Sequence, residues 1–310
     1  MKRFQQILVA LSPGASNSSV FEWTHRIARA AGSARLDFVL LDPEPAEWVA
    51  EFPAPAGNNP GDERFKAMQE EIATRFSGLG AQLETRIGVG SALPTILNEV
   101  ADGASDLVVI GVANEEDRRL AEKVTRKSPA SVLTVPEGAT ARCHSILTPV
   151  DFSTPSSLAL DITGAFATGL EVEKVTCLHS FHISNNSIPP GVTPEQLHED
   201  YLRVSSSELD EFVKTSPAGS LQTHTIVREA GLPSRAVLDE LAAGDYDLVV
   251  MGTRGGSSIV KALLGSNTAE VLRRSPVPVL AVKVKGEGLP ILRAILEEIQ
   301  KPAPNPALSS

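Results

Sequence analysis

The chain of 310 residues carries 28 basic and 38 acidic side chains, a formal net charge of −10 and a pI near 5.2. This balance argues against a surface for nucleic acid or for an anionic membrane, because both need clustered Lys and Arg. Cys143 and Cys177 are too few for a disulfide framework or a cysteine-based zinc site, and no apolar run is long enough to span a bilayer. We therefore predict a cytoplasmic protein.

An internal repeat organises the chain. The segment TILNEVADGASDLVVIG at residues 95–111 returns as AVLDELAAGDYDLVVMG at residues 236–252. Further on, VTRKSPASVLTV at residues 124–135 returns as VLRRSPVPVLAV at residues 271–282. The period of this repeat is about 140 residues, which is the size of a whole domain rather than of a solenoid unit.

The repeat predicts two copies of one fold joined by a short linker. The first covers residues 1–138 and the second residues 143–285, and the seam is poor in apolar residues, as a linker should be. Residues 286–310 are predicted as a C-terminal helix followed by a disordered tail.

Each copy alternates strands and helices along the chain. Several strands are nearly continuous apolar runs, which is typical of a sheet covered on both faces. Alternation with helices implies right-handed crossovers and parallel pairing. We predict an α/β fold of two tandem, doubly wound, five-stranded parallel-sheet domains. In the second copy the predicted strands lie near residues 145–150, 175–179, 221–227, 248–251 and 277–282.

Helix signals follow the same order. A helix is predicted to begin after Thr193, because Thr193 and Gln196 form a capping-box pattern around Pro194. The matching stretch of the first copy is rich in proline, so a longer irregular loop is expected there before its helix.

The last strand of each copy would form a bare sheet edge, and we predict that the two edges pair within one chain as a pseudo-dimer. The sequence does not decide whether two chains form a homodimer, and it identifies no protein partner.

A glycine-rich turn follows the fourth strand of the second copy, from Gly252 to Ser258. In an open parallel sheet, ligands bind outside the carboxyl ends of strands. Glycines allow backbone N–H groups to approach an anion closely. Gly265 and Ser266 then precede a helix whose N-terminus favours phosphate. Two such elements in succession suit a polyphosphate.

A purely structural reading stands beside this one. Gly252 alone fits a strand end, and Ser266 or Thr268 fits a helix cap. The first copy is informative because it is six residues shorter between the strand and the shared Ser-Pro and has three consecutive acids, residues 115–117, in place of the glycine turn. These acids would repel phosphate. The glycine loop is therefore not required for folding.

With these motifs, residues 1–285 resemble the universal stress proteins in their tandem two-domain form. The resemblance is most specific in the nucleotide motif of glycine, two residues, glycine, nine residues, glycine and Ser or Thr, which Gly252, Gly255, Gly265 and Ser266 match. It implies an ATP-binding domain in the second copy, with ATP or another adenine nucleotide as cofactor. The first copy departs from the pattern, because Ser12 stands where the acid is expected.

The resemblance also implies which residues bind the nucleotide. Adenine and ribose are assigned to Pro149, Asp151 and Ser180, although Asp151 could equally cap the next helix. Mg²⁺ bridging the phosphates fits such a site, because this ion typically uses substrate oxygens and few protein ligands. The phosphate-binding residues implied are Gly252, Thr253, Arg254, Gly255, Gly256, Ser257, Ser258, Gly265, Ser266, Asn267 and Thr268.

Other nucleotide-dependent classes fit less well. A dehydrogenase fingerprint after the first strand is missing, and the stretch LLGSNT lacks the lysine of a Walker-type loop. No nucleophile elbow or activated cysteine is evident. We predict an ATP-binding stress-response or signalling module, with a slow ATPase using the same pocket and a scaffold without nucleotide as the alternatives.

Overall fold

The computed structural model describes residues 3–12, 16–42, 60–184, 188–216, 222–253 and 264–284. The predicted C-terminal helix and tail at 286–310 lie outside these ranges, as does the proline-rich loop of the first copy at 43–59. Within the described ranges, no helix combines the length and apolar character needed to cross a bilayer.

The strands and helices alternate as the apolar runs predict. The ten strands are β1 Gln6–Leu11, β2 Arg35–Asp42, β3 Gln82–Val89, β4 Leu107–Val112, β5 Ser131–Pro136, β6 Ser145–Val150, β7 Lys174–Phe181, β8 Thr223–Glu229, β9 Leu248–Gly252 and β10 Val279–Val282. The helices of the described ranges are α1 Ser18–Ala31, α2 Pro60–Phe76, α3 Ala92–Gly103, α4 Glu115–Lys127, α5 Thr154–Gly169, α6 Pro194–Lys214, α7 Pro233–Ala243 and α8 Ser266–Arg274.

All ten strands form one sheet in the order β3-β2-β1-β4-β5-β10-β9-β6-β7-β8. The second half of this order mirrors the first, as two copies of one fold require. Neighbouring strands within each half are parallel. The α/β fold with two doubly wound, five-stranded parallel units is therefore confirmed.

The halves meet through their last strands, β5 and β10. These strands pair antiparallel, with Leu280 opposite Leu133. Both strands are buried except for Pro136 at the end of β5. The two strands that would otherwise be unpaired sheet edges therefore pair with each other within one chain.

Helices cover both faces of the sheet. One core contains Trp23 and Ile27 of α1 together with Ile162 and Phe166 of α5, so it spans both halves. On the opposite face, α3 and α4 cover the first half, and α7 and α8 cover the second. The side chains of successive residues in a buried strand point to opposite faces, which explains why these strands are apolar almost throughout.

The strand bounds in the second half differ from the predictions at several ends. β7 extends to Phe181, beyond the predicted 175–179, and β8 runs from Thr223 to Glu229 rather than over 221–227. β9 ends one residue later than predicted, at Gly252. β10 begins at Val279 rather than at Val277, since the N–H of Val277 bonds to the Ser275 hydroxyl at 3.2 Å and proline at 276 and 278 has no N–H.

The helix that was predicted after Thr193 is confirmed in detail. The N–H of Gln196 donates to the Thr193 hydroxyl at 3.2 Å, and the Gln196 side chain accepts from the N–H of Thr193 at 3.0 Å. Pro194 is the first helical residue. This helix begins as its local sequence indicates.

Candidate functional site

The order of strands places a switch point between β6 and β9. After β6 the chain passes through α5 to β7, on one side of this pair, and after β9 it passes through α8 to β10, on the other side. The helices α5 and α8 pack on opposite faces of the sheet, so the two connections diverge from the carboxyl ends of β6 and β9. Asp151 follows β6 and Gly252 ends β9. Two predicted site residues therefore meet at the crevice where open α/β sheets bind ligands.

Gly252 is required at this crevice by a close approach within the protein. A Cβ there would lie 2.8 Å from the Cβ of Pro155 and 2.9 Å from the Pro155 carbonyl carbon and oxygen. Pro155 belongs to the first turn of α5. In the first half, a Cβ on Gly111 would meet only a side-chain methyl of Val20, at 3.0 Å. Gly252 thus has a packing role whether or not a ligand lies nearby.

Three hydrogen bonds fix the residues at the end of β9, two of them to the start of α8 and one to β10. The N–H of Gly265 donates to the carbonyl of Thr253 at 2.8 Å, and the N–H of Thr253 donates to Val282 of β10 at 3.2 Å. The Thr268 hydroxyl donates to the carbonyl of Gly252 at 2.9 Å. Thr253 and Thr268 are buried. These bonds hold the N-terminus of α8 at the carboxyl end of the sheet.

The first turn of α8 lacks a side-chain cap. Its N-cap residue is Gly265, with φ −61° and ψ 143°, and no side-chain hydrogen bond caps the helix among the described residues. Ser266, the first helical residue, is exposed. An N-terminus of this kind presents N–H groups and the positive end of the helix dipole to an anion.

Asn267 lies in the same turn and contacts another helix. Its Oδ1 accepts from the N–H of Ser234 at 3.2 Å. Ser234 lies in the first turn of α7, whose N-cap residue Leu232 has no side-chain hydrogen bond of its own. Asn267 therefore joins the N-termini of α7 and α8, and its nucleotide role stays a prediction.

The turn after β6 is ordered by Asp151. Its Oδ1 accepts from both the N–H and the hydroxyl of Ser153. Ser153 in turn caps α5, because its hydroxyl accepts from the N–H of Ser156 at 3.3 Å. Asp151 therefore supports the helix cap rather than forming it. Its carboxylate is exposed at the crevice, within reach of solvent.

Phe152 and His179 form a wall beside Asp151 that the sequence did not reveal. Phe152 has a positive φ of 60°, which is uncommon for a bulky residue. Its ring lies 4.6 Å from that of His179 and 5.5 Å from that of Phe212, measured between centroids. His179 Nδ1 is 2.8 Å from the carbonyl oxygen of Val150, which agrees with a packing role for this histidine. No sequence pattern marks this conformation, in which the Phe152 ring packs against side chains of β7 and α6.

The remaining predicted residues divide into two groups. Pro149 and Ser180 are half-buried on the neighbouring strands β6 and β7, and their register partners are Leu178 and Arg228. The residues Arg254, Gly255, Gly256, Ser257 and Ser258 lie outside the described ranges.

The first half fills the corresponding place with an additional helical turn. The acids at 115–117, which stand in place of the glycine turn, begin α4. Asn114 caps this helix by accepting from the N–H groups of Glu116 and Asp117 at 2.9 and 3.0 Å. The Asp117 carboxylate accepts from the N–H of Ala113 at 2.9 Å. The pattern of Asn followed three residues later by Asp resembles a capping box and could have signalled this helix start.

Capping leaves the first half without a corresponding space. The cavity at this place measures about 10 Å³ and is lined by Ser12, Gly111 and Asp117 among others. That volume holds about one water molecule. In α4 the N–H groups of Glu116 and Asp117 are bonded to the side chain of Asn114, the N-cap residue.

A larger cavity of about 560 Å³ opens between α7 and α8 and is lined by Ser266 and Asn267. Its arginines are engaged in ion pairs. Arg273 and Arg274 both contact Glu270, and Arg235 contacts Asp239 at 3.0 Å. Across the part of the chain that is described, no group of three His, Cys, Asp or Glu side chains could hold a metal ion.

Comparisons with known proteins agree with this architecture. Residues 143–283 match the model of the universal stress protein family. A universal stress protein of Methanocaldococcus jannaschii is 27% identical over 155 residues, which cover 45% of this chain and 94% of that protein. These matches concern about half of the chain.

Two solved structures are similar over nearly the whole chain. A universal stress protein from Archaeoglobus fulgidus is 19% identical, with a TM-score of 0.63, and the match covers 93% of this chain and all of that one. A putative universal stress protein from Pseudomonas aeruginosa is 18% identical, with a TM-score of 0.65, and the match covers 95% of this chain and 98% of that one. At these identities the likeness establishes the fold across both halves. The match to the universal stress protein family model itself covers residues 143–283, slightly less than half of the chain.

Proposed function

We propose that the C-terminal half binds an adenine nucleotide, ATP in the first place, and acts as a nucleotide-dependent stress-response or signalling module. The observation that carries this proposal is the contrast between the starts of two helices that occupy equivalent places in the two halves. α8 begins at a glycine without a side-chain cap, whereas α4 begins at a capped and acidic turn. An open helix N-terminus beside a switch point is suited to phosphate.

The neighbouring groups support a nucleotide rather than a bare phosphate. Asp151 is exposed at the end of β6, where its carboxylate can accept from ribose hydroxyls. Pro149 and Ser180 lie near the carboxyl ends of the paired strands β6 and β7, on the Asp151 side of the switch point. The glycine motif that Gly252 and Gly265 delimit supports a polyphosphate at the ends of β9 and α8. We include Mg²⁺ as an ion bridged by phosphate oxygens, since such an ion needs few protein ligands.

In this proposal the two halves are domains with different tasks. Residues 1–138 keep the fold without a nucleotide site, and residues 143–285 carry the site. Both would act in the cytoplasm. The pairing of β5 with β10 makes the first domain a permanent partner of the second.

The test is a calorimetric titration of the full chain with ATP, comparing the wild type with Ser266→Pro. Proline is well tolerated at the first position of a helix, and the ψ of 143° at Gly265 suits a residue before proline. The substitution removes one N–H and one hydroxyl from the proposed phosphate site. We expect ATP affinity to fall by about tenfold or more.

The matched control is Glu115→Pro, at the first position of α4. The Asn114 cap uses the N–H groups of residues 116 and 117 rather than that of Glu115, so the fold should persist. We expect unchanged ATP affinity in this variant. Equal ATP affinity in wild type and Ser266→Pro, or no ATP binding by the wild type, would contradict the proposal. Mass spectrometry of nucleotide released from the purified protein identifies the natural ligand.

A single-turnover assay with labelled ATP distinguishes a sensor from a slow hydrolase. Retention of intact ATP supports the signalling module. Release of phosphate that is abolished by Asp151→Ala supports hydrolysis in the same pocket.

A further inference from the structure

A second cavity, of about 520 Å³, lies where α1, α2 and the segment joining the two halves meet. The cavity is separate from the candidate nucleotide site. Arg142, in its wall, precedes the amino end of β6, whereas Asp151 follows the carboxyl end. The six residues of β6 between them span about 20 Å. A volume of this size is in the usual range for small-molecule sites, which are common between domains.

The wall of this cavity is basic although the protein as a whole is acidic. Arg26 of α1, Arg75 of α2 and Arg142 of the connecting segment line it, and Glu22 is the one carboxylate in the same lining. The chain carries a formal net charge of −10. Cationic groups from three separate elements therefore face one space, and one of them, Arg75, is paired with Glu71.

Two of these guanidinium groups are held in place by the protein. Arg26 Nη2 donates to the carbonyl of Leu170, in the other half, at 3.0 Å. Arg75 Nε donates to Glu71 at 2.8 Å, and its guanidinium carbon lies 5.7 Å from the centroid of the Phe21 ring. Each guanidinium has five N–H donors, so these bonds leave most donors of both groups available. Preorganised arginines lose less freedom when they bind a ligand.

Arg142 completes the set from the connecting segment. Its side chain is exposed, and no hydrogen bond or ion pair of that side chain is seen within the described part of the chain. An arginine in this state can turn toward an incoming anion. The planar guanidinium fork matches both carboxylate and phosphate groups.

The cavity also has an apolar side. Phe21 is 2% exposed and Ala141 is 9% exposed, and both belong to the core cluster that spans the two halves. These side chains can make van der Waals contacts with an aromatic or aliphatic group of a ligand, but they offer no hydrogen bonds. The lining therefore combines an apolar floor with a cationic rim.

We propose that this cavity binds a small molecule with an oxyanion head group, phosphate or carboxylate, on an apolar body. The arginines would bind the head group, and the body would lie against the small apolar surface that Phe21 and Ala141 leave open. The site would be formed by the first half and the connecting segment, and the Leu170 carbonyl of the second half would orient Arg26. This inference does not rest on the nucleotide function of the C-terminal half.

The test uses phenyl phosphate as the probe, titrated calorimetrically into the full chain, with Arg142→Glu as the variant. Charge reversal at the rim should weaken phenyl phosphate binding by about tenfold or more. Arg119→Glu is the matched control, since Arg119 is exposed on α4, does not line the cavity and gives the same change of net charge. We expect Arg119→Glu to bind the probe as the wild type does.

Two further arms identify the head group and exclude the nucleotide site. Competition by benzoate points to a carboxylate ligand, and competition by inorganic phosphate alone points to a phosphate ligand. Ser266→Pro should leave phenyl phosphate binding at this cavity unchanged. Equal affinities in Arg142→Glu and Arg119→Glu, or no saturable binding of either probe by the wild type, would overturn the proposal.

Discussion

Arg118 of α4 donates a hydrogen bond of 3.0 Å from its Nη1 to the carbonyl oxygen of Arg273, at the C-terminal end of α8. Counting back from the aligned pair Val124 and Val271, Arg118 stands at the position of Gly265. The first half thus has an arginine where the second half begins its open helix. A cation at a helix C-terminus is favourable both for its hydrogen bonds and for the helix dipole.

We expect Arg118→Ala to destabilise the contact between α4 and α8. The side chain of Arg118 is 23% exposed, so the loss should be modest, about 0.5–1.5 kcal/mol in unfolding free energy. Hydrogen exchange of α8 amides should become faster in the same variant. The control is Arg119→Ala on the solvent side of α4, which should change neither measurement. Identical exchange in both variants would show that Arg118 does not hold α8.

Gly252→Ala should destabilise the protein more than Gly111→Ala does. The new Cβ at residue 252 would lie under 3.0 Å from backbone atoms of Pro155, which cannot move without shifting α5. At residue 111 the Cβ meets only a side-chain methyl group of Val20, at 3.0 Å, and a side chain shifts at lower cost than the backbone of a helix. We expect a cost of about 1–3 kcal/mol for Gly252→Ala and clearly less for Gly111→Ala, measured by urea denaturation.

Equal costs for the two alanine variants would contradict the packing role of Gly252. A full loss of ATP affinity in a Gly252→Ala variant of unchanged stability would instead indicate that this position acts through the ligand.

Asn114→Ala should cost about 1 kcal/mol of unfolding free energy, because the variant loses the cap that accepts from two N–H groups of α4. Asn17→Ala is a matched control. Asn17 occupies the N-cap position of α1 but makes no side-chain capping bond. We expect little change in that variant. If both substitutions have the same effect, the hydrogen bonds of Asn114 are not what stabilises α4.

The two cysteines predict a loss of stability at alkaline pH. Burial raises the pKa of Cys143 to about 12, with Asp247 adding to the rise and Arg26 opposing it. Burial also raises the pKa of Cys177 to about 12. Unfolded thiols titrate at their ordinary value of 9.0, so the folded state retains protons that the unfolded chain releases. The free energy of unfolding should be unaffected below that pH and should fall as the pH rises toward 12.

Urea denaturation at about pH 8 and about pH 10.5 measures this effect, which amounts to about 2 kcal/mol per thiol at the higher pH. The double variant Cys143→Ala, Cys177→Ala should lose most of the slope. Part of the pH dependence should remain in the double variant, because burial also raises the pKa of Tyr246 to about 12. The native protein should also resist thiol alkylation at neutral pH. Rapid alkylation without unfolding would contradict the burial of these groups.

Much of the architecture could be predicted from local patterns. The β6 strand and the capping box at Thr193 lie where the sequence places them, and α8 begins at Ser266, one residue earlier than the sequence indicates. The candidate site was predicted by the same means only in outline. Asp151 and Gly252 lie at the carboxyl ends of the neighbouring strands β6 and β9, but their contacts with Ser153 and Pro155 could not be read from spacing.

The sequence by itself determined the repeat, the alternation of strands and helices, and the residues at which several of them begin. These features follow from hydrophobic periodicity and from caps that involve residues three or four positions apart. Only the tertiary structure decided that Arg118 reaches Arg273 and that Arg26, Arg75 and Arg142 share one cavity. Residues so far apart in the chain meet only when whole surfaces pack, and no local pattern records which surfaces those are.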